Sequence, residues 1–160
     1  MNMSSSSKTP MSNGHYGRFL LMLGVSAIVM NALTYANLEQ ADHFFLSTNR
    51  IYVTLLMISA MAVIMLGFMQ AMYTDKRLNR FIVGGSVVVF AAALFCIRNQ
   101  VFINDQRFMQ SMIPHHSIAI LVRKRADLKD PEVKALAHSI ITAQEREIAE
   151  MKRILARMDH

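Results

Sequence analysis

Three methionines and a histidine carry the chemistry this sequence can do. Asp105, Met109, Met112, His116 and Ala119 follow one another at steps of four, three, four and three residues. At 100° per residue they share about 80° of a helical wheel. Ala137, Ile141, Gln144, Ile148, Met151 and Leu155 continue the same spacing farther on. Between the two sets, Asp130 is a good N-cap, Pro131 suits a first helical position and Glu132 complements a helix dipole. A chain that reverses there sets residues whose numbers sum to about 260 side by side. Met109 then faces Met151, Met112 faces Ile148 and His116 faces Gln144, with His115 turned about 100° from His116.

Thioether sulfur with neutral imidazole suits copper, Cu(I) most of all, because sulfur matches the soft ion and imidazole accepts either oxidation state. Zinc is a poorer match without thiolate. Pro114 removes a helical N–H and crowds the carbonyl of Gln110, so a kink is expected beside these ligands, opening room for an ion. Spacing leaves a second reading open. Methionine at core positions is ordinary packing, and a seam histidine is ordinarily a hydrogen-bonded core residue.

The elements that must position these side chains divide into lipid-facing and water-facing parts. Residues 19–38, 51–74 and 81–97 hold no Asp, Glu, Lys or Arg. Each is close to the roughly 20 helical residues that span a hydrocarbon layer about 30 Å thick. The expected spans are 19–38, 51–73 and 81–97. Residues 1–18, with Ser4 through Ser7, Lys8, Pro10 and Gly14, read as a disordered tail. The first apolar run is too long for a cleaved signal peptide and lacks a good cleavage site, so it reads as an anchor. No Gly or Pro stands between Gly85 and Pro114. The third span is therefore expected to run straight into the first water-facing helix, which ends near Ala126, with a second helix over 131–157. The domains are then a tail (1–18), a three-span region (19–97) and a helical hairpin (98–160).

Charge gives the orientation. The tail holds Lys8 and Arg18, the second loop Lys76, Arg77 and Arg80, and the first loop only Arg50. The positive-inside rule puts tail and second loop in the cytoplasm, and the first loop and hairpin outside. In a bacterial inner membrane that outside is the periplasm. His43, in the first loop, reads as a solvated side chain, and so does the cluster Arg123-Lys124-Arg125. Asn31 and Thr34 are expected to bond neighbouring helices. Met57, Met61, Met65, Met69 and Met72 form a stripe along the second span, read as packing rather than as a thioether ladder.

Composition excludes several classes. Of 160 residues, 53% are apolar and 18% charged, with 14 methionines, one cysteine (Cys96) and no tryptophan. A single cysteine rules out a disulfide framework and a thiolate zinc cluster. The net charge of +6 lacks a basic stripe interleaved with aromatics, so no nucleic-acid partner is expected. A di-iron centre needs Glu-x-x-His, but Glu145 and Glu147 are followed three residues later by Ile148 and Glu150. Ser111 and Ser117 have no placed carboxylate partner beyond Asp105, so no enzyme is expected.

The run Phe108-Met109-Gln110-Ser111-Met112-Ile113-Pro114-His115-His116, followed by Ala119-Ile120, Asp130-Pro131-Glu132-Val133, Leu136-Ala137, Ile140-Ile141, Gln144, Glu147-Ile148 and Met151, resembles the domain-of-unknown-function family 305. The likeness covers about a third of the chain, and the spans ahead of it resemble a membrane-anchored branch. It implies an all-α, ferritin-like bundle and, in some members, periplasmic copper binding. Carried over by position, the implied ligands are Met109, Met112, His115, His116 and Met151. Where the family commonly has another Met six residues after the second His, this chain has Val122. Two helices make a poor core alone, so a homodimer is expected to complete a four-helix bundle, through Phe108, Ile118, Leu121 and Val122. The sequence thus leads to a membrane protein that buffers copper or confers tolerance, with a metal-free structural or partner-binding protein as its rival.

Overall fold

A computed structural model of the protein describes residues 12–158, and within them every regular element is helical. Five helices follow in order: α1 (Ser12–Leu33), α2 (Thr48–Phe68), α3 (Lys76–Asn99), α4 (Asp105–Arg125) and α5 (Pro131–Met158). A single 3-10 turn, Ala41–His43, lies between α1 and α2. The all-α class and the order of three apolar helices followed by a hairpin agree with the sequence reading.

Three of the helices are long and apolar enough to cross a membrane. Their packing leaves most of their apolar surface uncovered. Only 6% of the apolar window of α3 is buried, so nearly all of its Val, Phe and Leu side chains face outward. α2 is the central helix, lying against both α1 and α3. Ser59 and Ala62 are buried there, as the small residues at a close helix approach should be.

The helix ends differ from expectation for local reasons. α1 begins at Ser12 rather than near Phe19, so the second part of the expected disordered tail is helical; residues 1–11 of that tail lie outside the described residues. Its early start is held by Tyr16, which packs on Tyr73 with ring centroids 5.2 Å apart. The Tyr16 hydroxyl accepts the Asp75 N–H at 3.1 Å and donates to Asn79 Oδ1 at 2.8 Å. Phe19, Leu23, Ala62 and Leu66 complete that core. At the opposite end, Arg50 donates to the carbonyl of Thr34 and lies 4.1 Å over the Tyr35 ring. It thereby satisfies one of the orphan carbonyls that end α1. Asn31 donates to Thr54 Oγ1 across to α2 at 3.1 Å, as expected, whereas the Thr34 hydroxyl turns back to Asn31 O in its own helix.

The third span does not continue into the hairpin. Gln100 takes up a left-handed conformation (φ 50°), and the Val101 N–H reaches back to Cys96 O at 3.0 Å, the pattern of a Schellman cap. Glutamine serves where glycine is usual because its own side chain donates to Ile97 O at 2.6 Å. Asn104 then caps α4 by accepting the Arg107 N–H at 2.9 Å. The break before α5 is as expected, with Asp130 accepting the N–H groups of Glu132 (2.9 Å) and Val133 (3.0 Å).

The methionine stripe of the second span is interrupted. α2 ends at Phe68, which leaves Met69 at the cap and Met72 beyond it. Met57 and Met72 are exposed, while Met61, Met65 and Met69 pack against the Tyr16–Tyr73 core. Those three are packing residues.

Candidate metal site

α4 and α5 pack along their apolar seam around Met109, Ile113, Ile120, Ile148 and Leu155, all buried. Toward the start of α4 the seam opens into a groove of about 690 Å³. Met109, Met112 and His116 line it from α4, and Met151 and Met158 from α5. Asp105, Glu147, Glu150 and Arg157 stand around the same groove, three acids against one base. Four of the five sequence-derived candidates are therefore brought together. His115 is not: it is exposed and lies outside the groove, its ring 6.1 Å from that of His116. Consecutive residues on a helix cannot share one face.

The register differs from the simple antiparallel pairing by about one turn at the histidine. His116 Nδ1 lies 3.4 Å from Glu147 Oε2, so Glu147 takes the place expected for Gln144. This is an ion-pair distance and not a hydrogen bond, which leaves His116 Nδ1 buried without a hydrogen-bond partner; Gln144 Oε1 is buried in the same condition. Burial pushes the His116 pKa below its usual value, more than the nearby Glu147 carboxylate raises it, and His115 adds to the lowering. Neutral imidazole, the form that binds metals, is thus the resting form at neutral pH.

α4 runs through Pro114 as one helix, and the ring is fully buried, on the side of α4 away from the groove. Ser111 and Ser117, three residues to either side, share that face. The chain between α1 and α2 is clasped onto it. Ser47 Oγ donates to Ser111 Oγ at 3.1 Å, Ser117 Oγ accepts the Glu39 N–H at 2.9 Å, and His43 Nδ1 meets Ser117 Oγ at 2.9 Å. Phe45 packs against the hairpin core. Lys152 of α5 pairs with Asp42 at 2.6 Å, and Lys124 of α4 pairs with Glu39 at 3.0 Å and Glu145 at 3.5 Å.

His43 is therefore buried, at 6% exposure, where a solvated side chain was expected, and Lys124 is tied down rather than free on a solvated face. Burial first, then the charge of Lys152, lowers the His43 pKa. A neutral ring fits its bonds: Nδ1 accepts from the Ser117 hydroxyl, and Nε2–H faces Asp42 Oδ1 at 3.9 Å.

Among the described residues, no three of His, Cys, Asp and Glu meet as a group able to hold a metal ion. Met158 and Glu147 are among the lining residues that the sequence did not place in the site. Met158 stands seven residues after Met151 and so on the same face, but lies beyond the expected end of its helix. Glu147 stood only in the family-resembling run, four residues before Met151.

An all-α protein with three membrane-length helices and a methionine-lined hairpin groove is the class these features define. The family model described as Domain of unknown function (DUF305) matches residues 103–160, from the break after α3 onward. A curated relative, the Uncharacterized protein L153 of Acanthamoeba polyphaga mimivirus, is 32% identical over 140 residues, covering 85% of this chain and 90% of that protein. The chain belongs to the DUF305 family. The likeness to the viral protein is long enough to take in helices ahead of the hairpin. No solved structure matches the chain.

Proposed function

We propose that this protein is a membrane-anchored copper-binding protein whose hairpin holds Cu(I) through Met109, Met112, His116 and Met151, with Met158 as a further thioether, for metal buffering or tolerance. One observation carries the reading. Methionines from two helices and one neutral histidine line a single open groove, and the charges around it favour a cation. Soft sulfur selects a soft ion, and the absence of a hard-ligand cluster among the described residues suits zinc or a di-iron centre less well. Val122, on the outer flank, contributes no sulfur, which suits one ion better than several.

The hairpin and the first loop sit together at one end of the three apolar helices, and Arg18, Lys76, Arg77 and Arg80 belong to the other. The positive-inside rule then supports a cytoplasmic N-terminus and a hairpin on the far side, periplasmic if the membrane is a bacterial inner membrane. Exposed Phe108 and Val122 support a second copy as partner.

The test is titration of the full-length protein in detergent with Cu(I) against a competing chelator. One equivalent is expected to bind. Met109→Leu with Met151→Leu is expected to weaken it by more than the roughly 10- to 100-fold typical of outer-shell partners. Absence of binding by the unaltered protein favours the rival reading, for which buried Met109 is the specific observation: it is 7% exposed, as a packing residue would be.

A further inference from the structure

We infer that Glu147 is a positioning residue that fixes the tautomer of His116 and leaves Nε2 as the atom able to ligate a soft metal ion. The inference rests on the copper reading for what Nε2 is for, and on geometry for the rest.

A neutral imidazole has one N–H and one lone pair, and its neighbours decide which nitrogen carries which. His116 Nδ1 is buried, has no hydrogen-bond partner, and faces Glu147 Oε2 at 3.4 Å. A carboxylate can only accept. A lone pair on the buried Nδ1 would meet a second set of lone pairs across 3.4 Å, whereas an N–H there needs only a small rotation to bond Glu147. The proton therefore belongs on Nδ1. The lone pair is left on Nε2 of a ring that lines the groove beside Met112.

Among the described residues, no other side chain beside the ring competes for this role. His115 lies 6.1 Å away centroid to centroid and is turned outward, and Gln144 makes no bond to the ring. Glu147 is half exposed, at 49%, while the His116 side chain is 14% exposed. Carboxylates that accept the second N–H of a ligating histidine orient the ring and raise its basicity, and losing one typically costs about 10- to 100-fold in metal affinity.

The test reads the tautomer first, without metal. In full-length protein carrying nitrogen-15 histidine, long-range proton–nitrogen correlation is expected to show His116 protonated at Nδ1. Glu147→Leu is expected to move the proton to Nε2 and to weaken Cu(I) binding by roughly 10- to 100-fold. Glu147→Gln, whose carbonyl still accepts, is expected to keep the tautomer and to stay within a few-fold of the unaltered affinity. Protonation of Nε2 in the unaltered protein overturns the inference, as does a Glu147→Leu protein with the original tautomer. If Glu147→Leu fails to fold, the unaltered and Gln proteins still decide it. A chain that shows the Nδ1–H tautomer but binds no Cu(I) leaves the positioning intact and sinks the copper reading alone.

Discussion

The two faces of α4 are built from the same materials and finished differently. On one, Ser111, Pro114 and Ser117 lie under the loop, and both hydroxyls are hydrogen-bonded. On the other, His116 Nδ1 has no hydrogen-bond partner and sulfur lines an open groove. A buried polar group left unpaired costs about 1–3 kcal/mol, and folds rarely keep one without a use. The finished face is where the fold is held. The unfinished face leaves its thioethers lining an open groove, and its one unpaired nitrogen, His116 Nδ1, is turned toward Glu147.

The sharpest way to break this contrast is to spoil the finished face. Ser117→Ala removes the group that both His43 Nδ1 and the Glu39 N–H use, so α4 should become easier to open by about 1–3 kcal/mol. Hydrogen exchange of α4 amides measures it, and an unchanged exchange rate would mean that the loop lies on the hairpin without holding it.

Acid attacks the same face more gently. The His43 pKa is lowered in the fold, so the undocked loop binds a proton first, near 6.5, and the docked loop only at lower pH. The clasp is therefore at full strength above pH 6.5 and weakens as pH falls through the lowered value. His116 is shifted the same way and adds to the trend from the other face. His43→Gln should remove part of the acid-driven increase in α4 exchange. Equal pH dependence with and without His43 would refute its part.

The smallest effect on the fold is expected from the groove. Met112→Leu nearly conserves volume and should cost less than about 1.5 kcal/mol of stability, while weakening Cu(I) binding in the chelator titration. A large loss of stability with unchanged binding would turn that face into ordinary core.

Much of this arrangement was legible in the residues. Three uncharged runs gave the three membrane-length helices, Asp130-Pro131 gave the reversal, and helical spacing gave five of the groove's lining side chains. The clasp was not legible, because Glu39, Asp42 and His43 have the same polar pattern whether water or a helix face receives them. Gln100 hid the α3–α4 break by doing glycine's work with a self-satisfying side chain. His115 came only from family resemblance, and its neighbour's claim on the groove face turns it outward. Glu147 needed the observed register, about one turn from the simplest pairing.

The clasp also bears on where this chain can be cut. A fragment beginning at residue 98 would carry every thioether of the groove and the whole α4–α5 seam. It would lack Phe45, His43 and Ser47, and so would open Pro114, Ser111, Ser117 and one side of the Ile113 core to water. The loop between the first two spans is thus a missing piece of the hairpin's own interior, delivered from some 60 residues upstream.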